Sequence, residues 1–222
     1  MLKTHKDGGR HEPGTANHDH PRCAGGGDSC QILGGALKPG TPLTETGLAA
    51  MFDVARPTVR SALQVLTSRH LAQQSQGRSL VVPVLDHEDV RDLYFVRVPL
   101  ELEGVRVIVE NGIALDEAEQ YLEKMEQMPD DASWADRVEV HTAFHVAIVD
   151  AVGSQRLSRI YSTLQDEMQL CLAQIQQSYP NPQDLAREHR KLLDEIQSAD
   201  LDRAQSEMRR HLARAVENYE TT

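Results

Sequence analysis

The chain has 222 residues, a formal net charge of −11 and 40% hydrophobic side chains, enough for one large core or two modest ones. Three scattered cysteines, Cys23, Cys30 and Cys171, make no disulfide framework, and no apolar run is long enough to span a bilayer. With no apolar export core at the N-terminus, the expectation is a cytoplasmic protein.

The charge is unevenly spread. Residues 28–85 carry a net +2 (Lys38, Arg56, Arg60, Arg69 and Arg78 against Asp28, Glu45 and Asp53), whereas residues 86–222 carry −14. A mildly basic module joined to an acidic one suits a DNA reader tethered to a part that phosphates would repel.

Residues 1–28 are rich in Gly, His, Pro and Asp and nearly devoid of large apolar side chains, so they read as a disordered leader. Their His5, His11, His18, His20 and Cys23, taken with Cys30 just beyond, match no closed zinc spacing. The module at 29–85 follows. After the turn at Leu37-Lys38-Pro39-Gly40, Thr44 is a helix N-cap with Glu45 in the first turn, and Leu48, Ala49 and Phe52 recur at helical spacing. Asp53-Val54 interrupts. A second helix runs over about 56–69, with Pro57 tolerated in its first turn and Val59, Ala62, Leu63 and Leu66 on one face. Two strand-like pieces then flank Gln76-Gly77-Arg78. Two helices, a tight turn and a β-hairpin describe a winged helix-turn-helix.

From residue 86 to residue 222 the pattern is helical throughout, with segments at about 87–112, 115–128, 132–152, 154–179, 183–198 and 200–220. Connections this short favour an antiparallel bundle. Pro99 alone falls inside a segment, where a kink is expected. The fold class is therefore mainly α: a winged helix-turn-helix with a small β-wing, plus an all-helical bundle.

Two groups of residues carry chemistry. At the start of the second helix Arg56 and Arg60 share a face, where arginine can take guanine bidentately and Thr58 can bond a phosphate or base. Gly77 and Arg78 at the wing tip suit a phosphate or the minor groove. In the acidic part, His141 and His145 lie one turn apart on one helix, with His189 and His211 on two others. Four histidines on three helices of a bundle can converge on one interior metal ion.

The run Ile32–Leu43, then Leu48-Ala49, Phe52-Asp53-Val54 and Arg56 through Leu63, resembles the N-terminal domain of the GntR family of bacterial regulators. The stretch from Asp92 to Glu101, with Phe144-His145, Ala151-Val152-Gly153, Glu188-His189 and His211-Leu212, resembles the FCD sensor domain of its FadR-type branch. The resemblance implies a homodimeric transcription factor on a palindromic DNA operator. It implies that His145, His189 and His211 bind a divalent metal, and that a small carboxylate effector binds there with a nearby arginine, for which Arg97 is the candidate. A salt bridge from Arg97 to Glu101 is the alternative reading.

Several positions depart from the family pattern. His141 stands where the family has aspartate; four imidazoles favour Zn or Ni, or else water or effector fills that place. Ala55 replaces a capping serine, Pro57-Thr58 reverses the usual order, and Ser61 stands where the family has an acidic residue. His70 and Ser79 stand where glycines are expected, and Ser154 replaces an asparagine. Upstream of Ile32 the family's amphipathic helix is replaced by Gly, His and Asp. A repressor is the expected mode. A metal-responsive regulator, with the ion itself as the signal, is the alternative, and a metal-dependent hydrolase has no nucleophile or base motif to support it.

Overall fold

The computed structural model describes residues 37–77, 79–174, 179, 181 and 183–220. The leader at 1–28, the stretch Ile32–Ala36 and the wing residue Arg78 lie outside these residues.

The N-terminal module is built as its local chemistry dictates. Helix α1 (Glu45–Phe52) starts at Thr44, whose Oγ1 accepts from the Gly47 amide at 3.1 Å. It ends at Asp53, which takes a left-handed φ of 52° and returns its N–H to the Ala49 carbonyl. Helix α2 (Arg56–Ser68) begins without a side-chain cap because Ala55 has no oxygen to offer, and Pro57 occupies its first turn. His70 sits at φ 59°, the left-handed conformation that glycine adopts more easily. Strands β1 (Gln73–Gln74) and β2 (Leu80–Val81) pair antiparallel, Gln73 opposite Val81, and Pro42 bridges to Val81 on the far side. Leu43, Leu48, Val59, Leu63, Leu66, Leu71 and Val82 close a small core.

Six further helices follow: α3 (His87–Asn111), α4 (Asp116–Glu126), α5 (Trp134–Ala151), α6 (Gln155–Gln174), α7 (Gln183–Gln197) and α8 (Leu201–Glu220). Each begins or ends within a few residues of the expected segment, except α6, whose described part stops at Gln174. An Asp86–Asp89 capping box opens α3, Gly112 at φ 61° closes it, and the helix continues across Pro99. Ser133 caps α5. Helix α3 is the hub, packing on α5, α6, α7 and α8, while α4 packs on α5 and α7. Val105, Ile108, Leu122, Phe144, Ile148, Leu192, Leu193 and Leu212 lie in the shared core, whose burial is the main stabilising force.

The two cores touch through α6. Leu170, 1% exposed, packs into the core of the N-terminal module. One turn earlier Asp166 takes Arg69, just past the end of α2, in a two-pronged ion pair at 2.5 and 2.6 Å. Tyr219 of α8 donates to the Leu85 carbonyl at 2.5 Å in the connection between the cores. No described helix is long and apolar enough to cross a membrane.

Candidate metal centre and DNA-reading face

Helix period brings the four histidines together. His141 and His145 stack one turn apart on α5; His189 is in phase with the buried Leu185, Leu192 and Ile196 of α7; His211 is in phase with Ala204 and Met208 of α8. One nitrogen from each lies within 4.8 Å of the others. The Nε2 atoms of His145 and His189 are 3.2 Å apart, and those of His145 and His211 are 3.3 Å apart. Metal–imidazole bonds of about 2.0–2.1 Å in a tetrahedron put nitrogens about 3.3–3.4 Å apart, so these spacings suit one ion.

Proton placement supports the same fit. His145 Nδ1 donates to Glu101 Oε2 at 2.8 Å, and His189 Nδ1 donates to the Leu185 carbonyl at 2.6 Å. Oxygen accepts in both contacts, so each neutral ring keeps its hydrogen on Nδ1 and turns a bare Nε2 lone pair inward. Two lone pairs facing each other at 3.2 Å repel unless a cation lies between them. The Nδ1 of His141 is buried with no hydrogen-bond partner, a polar atom whose burial a metal ion would offset. Burial pushes His189 down to about 4 and holds His141, His145 and His211 well below the ordinary histidine range. All four are therefore neutral, the ligating form, at physiological pH.

Below the histidines lies a buried network that the sequence pointed to only in part. Glu101, fully buried, accepts from His145, from the Tyr161 hydroxyl at 2.7 Å and from Arg97 Nε. Arg97, 2% exposed, also donates to the Tyr94 hydroxyl at 3.0 Å. The Arg97–Glu101 salt bridge thus forms, and Glu101 orients the His145 imidazole in the way carboxylates orient histidines beside metal sites. The i,i+4 spacing of Arg97 and Glu101 was the legible half; Tyr161, sixty residues on, left no local trace. Tyr161 is held well above the usual phenol range, chiefly by burial and then by the Glu101 charge. An open cleft of about 410 Å³ between α7 and α8 reaches the centre at His211, with Lys191, Arg210 and Arg214 among its lining residues.

On the other module Arg56, Thr58 and Arg60 are exposed at the start of α2, and Gly77 is exposed in the hairpin turn. Both arginines reach back to Glu45 of α1: Arg60 through Nε at 2.7 Å and Nη2 at 2.9 Å, Arg56 through Nη2 at 3.3 Å.

Comparison with known proteins places this architecture. The model of the FCD domain matches residues 92–214, and that of the bacterial regulatory proteins of the gntR family matches residues 30–82. The chain belongs to the GntR family. This GntR regulator is 24% identical over 183 residues to the HTH-type transcriptional regulator YdhC of Bacillus subtilis, covering 81% of this chain and 82% of that one. It is 26% identical over 182 residues to the gluconate operon transcriptional repressor of Bacillus licheniformis, covering 78% and 73%. Among solved structures, a GntR protein of Rhodococcus sp. RHA1 superposes with a TM-score of 0.76 at 22% identity, covering 90% of this chain and 96% of that one, which shows a shared fold. The GntR regulator is thus a transcription regulator with a DNA-binding module, not an enzyme. Its four buried histidines fit a metal ion, as FCD domains often hold.

Proposed function

We propose that the chain is a cytoplasmic, homodimeric repressor whose hold on a palindromic operator is set by a small carboxylate effector at a Zn or Ni centre. His145, His189 and His211 would hold the ion, with His141 yielding the fourth position to the carboxylate, which meets the ion's positive charge there. The observation that carries the proposal is the inward convergence of imidazole lone pairs whose other nitrogens are fixed by Glu101 and Leu185.

This chain's own residues prepare the site for a metal and its ligand. Burial first, and then neighbouring charges including Arg97, disfavour protonation of all four histidines, while Arg97 itself is neutralised by Glu101. The cleft at His211 provides the way in; its Lys191 and Arg214 are paired with Glu207 and Glu188, so the ion itself is the charge a carboxylate would meet. A relative named for the gluconate operon supports an organic acid and a repressor mode. Arg56, Thr58, Arg60, Gly77 and Arg78 would contact DNA, and a two-fold dimer would read two half-sites.

The route from sensor to reader runs along α6. Its Tyr161 hydroxyl holds Glu101 beneath the histidines, its Asp166 holds Arg69, and its Leu170 completes the DNA module's core. A ligand that shifts Glu101 therefore acts on the helix that seats the reader, which is what a coupling between the two sites requires. The test is fluorescence anisotropy on an operator selected from random DNA, with Zn-loaded protein titrated with small carboxylates including gluconate. A carboxylate that weakens operator binding at least fivefold, and no longer does so in His145→Ala, is the expected result. Operator binding indifferent to every acid contradicts the proposal.

One observation favours a second reading. If His141 completes the set, four imidazoles close a tetrahedral ion and leave no position for a carboxylate. The metal itself would then be the signal, and operator affinity would change on adding Zn or Ni without any acid.

A further inference from the structure

We infer that Glu45 is a positioning residue for sequence recognition, holding the reading arginines by one edge so that the other edge faces the bases. The inference rests on Arg56 and Arg60 being DNA contacts.

Glu45 stands at the first position of α1, next to the cap at Thr44, and only 26% of its side chain is exposed. The two arginines come from the next helix and are 62% and 60% exposed. A guanidinium has five N–H donors in a rigid plane. Arg60 spends Nε–H and one Nη2–H on the carboxylate, which leaves both Nη1 hydrogens and the second Nη2 hydrogen. Those remaining donors form the end of the fork, the edge that fits the O6 and N7 acceptors of guanine. Arg56 shares Oε2 through a single Nη2 contact and keeps more freedom. One carboxylate therefore fixes one arginine firmly and a second loosely.

The pairing gives little stability, because exposed ion pairs gain little against solvent and side-chain entropy. It is also an odd choice for affinity alone. A carboxylate at the DNA face repels phosphate and offsets one of the cations beside it. Its physical benefit lies in selectivity. A free arginine sweeps across phosphates and several base edges, whereas a clamped one presents two hydrogens at a fixed place. The negative charge meanwhile weakens binding where no guanine repays the contact.

The test uses the full chain on an operator selected from random DNA and on versions with single guanines replaced. Three variants are compared: Glu45→Gln, Arg60→Ala and the double substitution. The readouts are operator affinity, the ratio of operator to replaced-guanine affinity, the salt dependence and the melting temperature. For Glu45→Gln the inference expects an unchanged melting temperature, equal or tighter binding to unrelated DNA, and a roughly tenfold loss of discrimination at one base pair per half-site. In the Arg60→Ala background Glu45→Gln should change discrimination no further. Glu45→Asp, with a shorter reach, should restore the low binding to unrelated DNA but only part of the discrimination. Full discrimination in Glu45→Gln, or a uniform loss across all sequences, overturns the role of Glu45. Arg60→Ala without effect on any DNA overturns the underlying assignment of the reading face instead.

Discussion

Two arginine–glutamate pairs, one in the N-terminal module and one in the helical bundle, show how burial changes what the same contact does. Arg60 and Glu45 meet in solvent, at 60% and 26% exposure, and among the described residues Glu45 is paired with arginines. Arg97 and Glu101 meet in the core at 2% and 0% exposure, and the carboxylate there is saturated by Arg97, Tyr161 and His145. In water the pair can come apart at little cost, so it serves to aim a side chain at a partner. In the interior neither charge can be left alone, so the pair becomes a fixed base on which the His145 imidazole stands.

That contrast can be broken most forcefully at Glu101. Glu101→Ala leaves the Arg97 charge, the Tyr161 hydroxyl and the His145 N–H unpaired in the core, and should cost about 3–5 kcal/mol. Calorimetry should show the melting temperature fall by roughly 6–20 °C, whereas Glu45→Gln should leave it nearly unmoved. A mild effect at Glu101 would erase the contrast.

A smaller effect is expected from Glu101→Gln, which keeps the shape and weakens the hold on His145. Metal affinity, read by chelator competition, should drop about 10–100-fold. Tyr161→Phe removes one hydrogen bond and should cost about 1 kcal/mol of stability, with metal still bound and the effector response reduced. Smallest in stability is Asp166→Asn, which loosens the partly exposed hold on Arg69, worth under about 1 kcal/mol. Its effect should appear in coupling: the effector-dependent change in operator affinity, measured by anisotropy, should shrink while metal content stays the same. An unchanged effector response in Asp166→Asn would mean that the signal does not travel by this contact.

Much of this was legible in the residues because it is local. Thr44 before an apolar-periodic run and the helix breaks at Gly112 and Gly153 follow from side-chain chemistry within a few positions, whereas the missing cap at Ala55 and the left-handed His70 stood out only against the family pattern. The i,i+4 pair His141 and His145 announced a shared face, and their meeting with His189 and His211 follows once the helices pack. What stayed hidden depends on contacts far apart in the chain. Nothing near Tyr161 tells that it caps Glu101, nor does anything near Asp166 or Leu170 tell that α6 reaches the DNA module. Arg97 shows the limit of local reading. Its spacing to Glu101 allowed both an ion pair and a free anchor, and only the packing around α3 shows that it is buried in the pair.

Whether the histidines hold a metal is decided by elemental analysis of the full chain purified without chelator or affinity metal, beside His145→Ala and His189→Ala. About one equivalent of a divalent transition metal per chain, lost in both variants, is the predicted result. No metal in any of the three, with no uptake when Zn or Ni is added, would contradict a metal centre at these histidines.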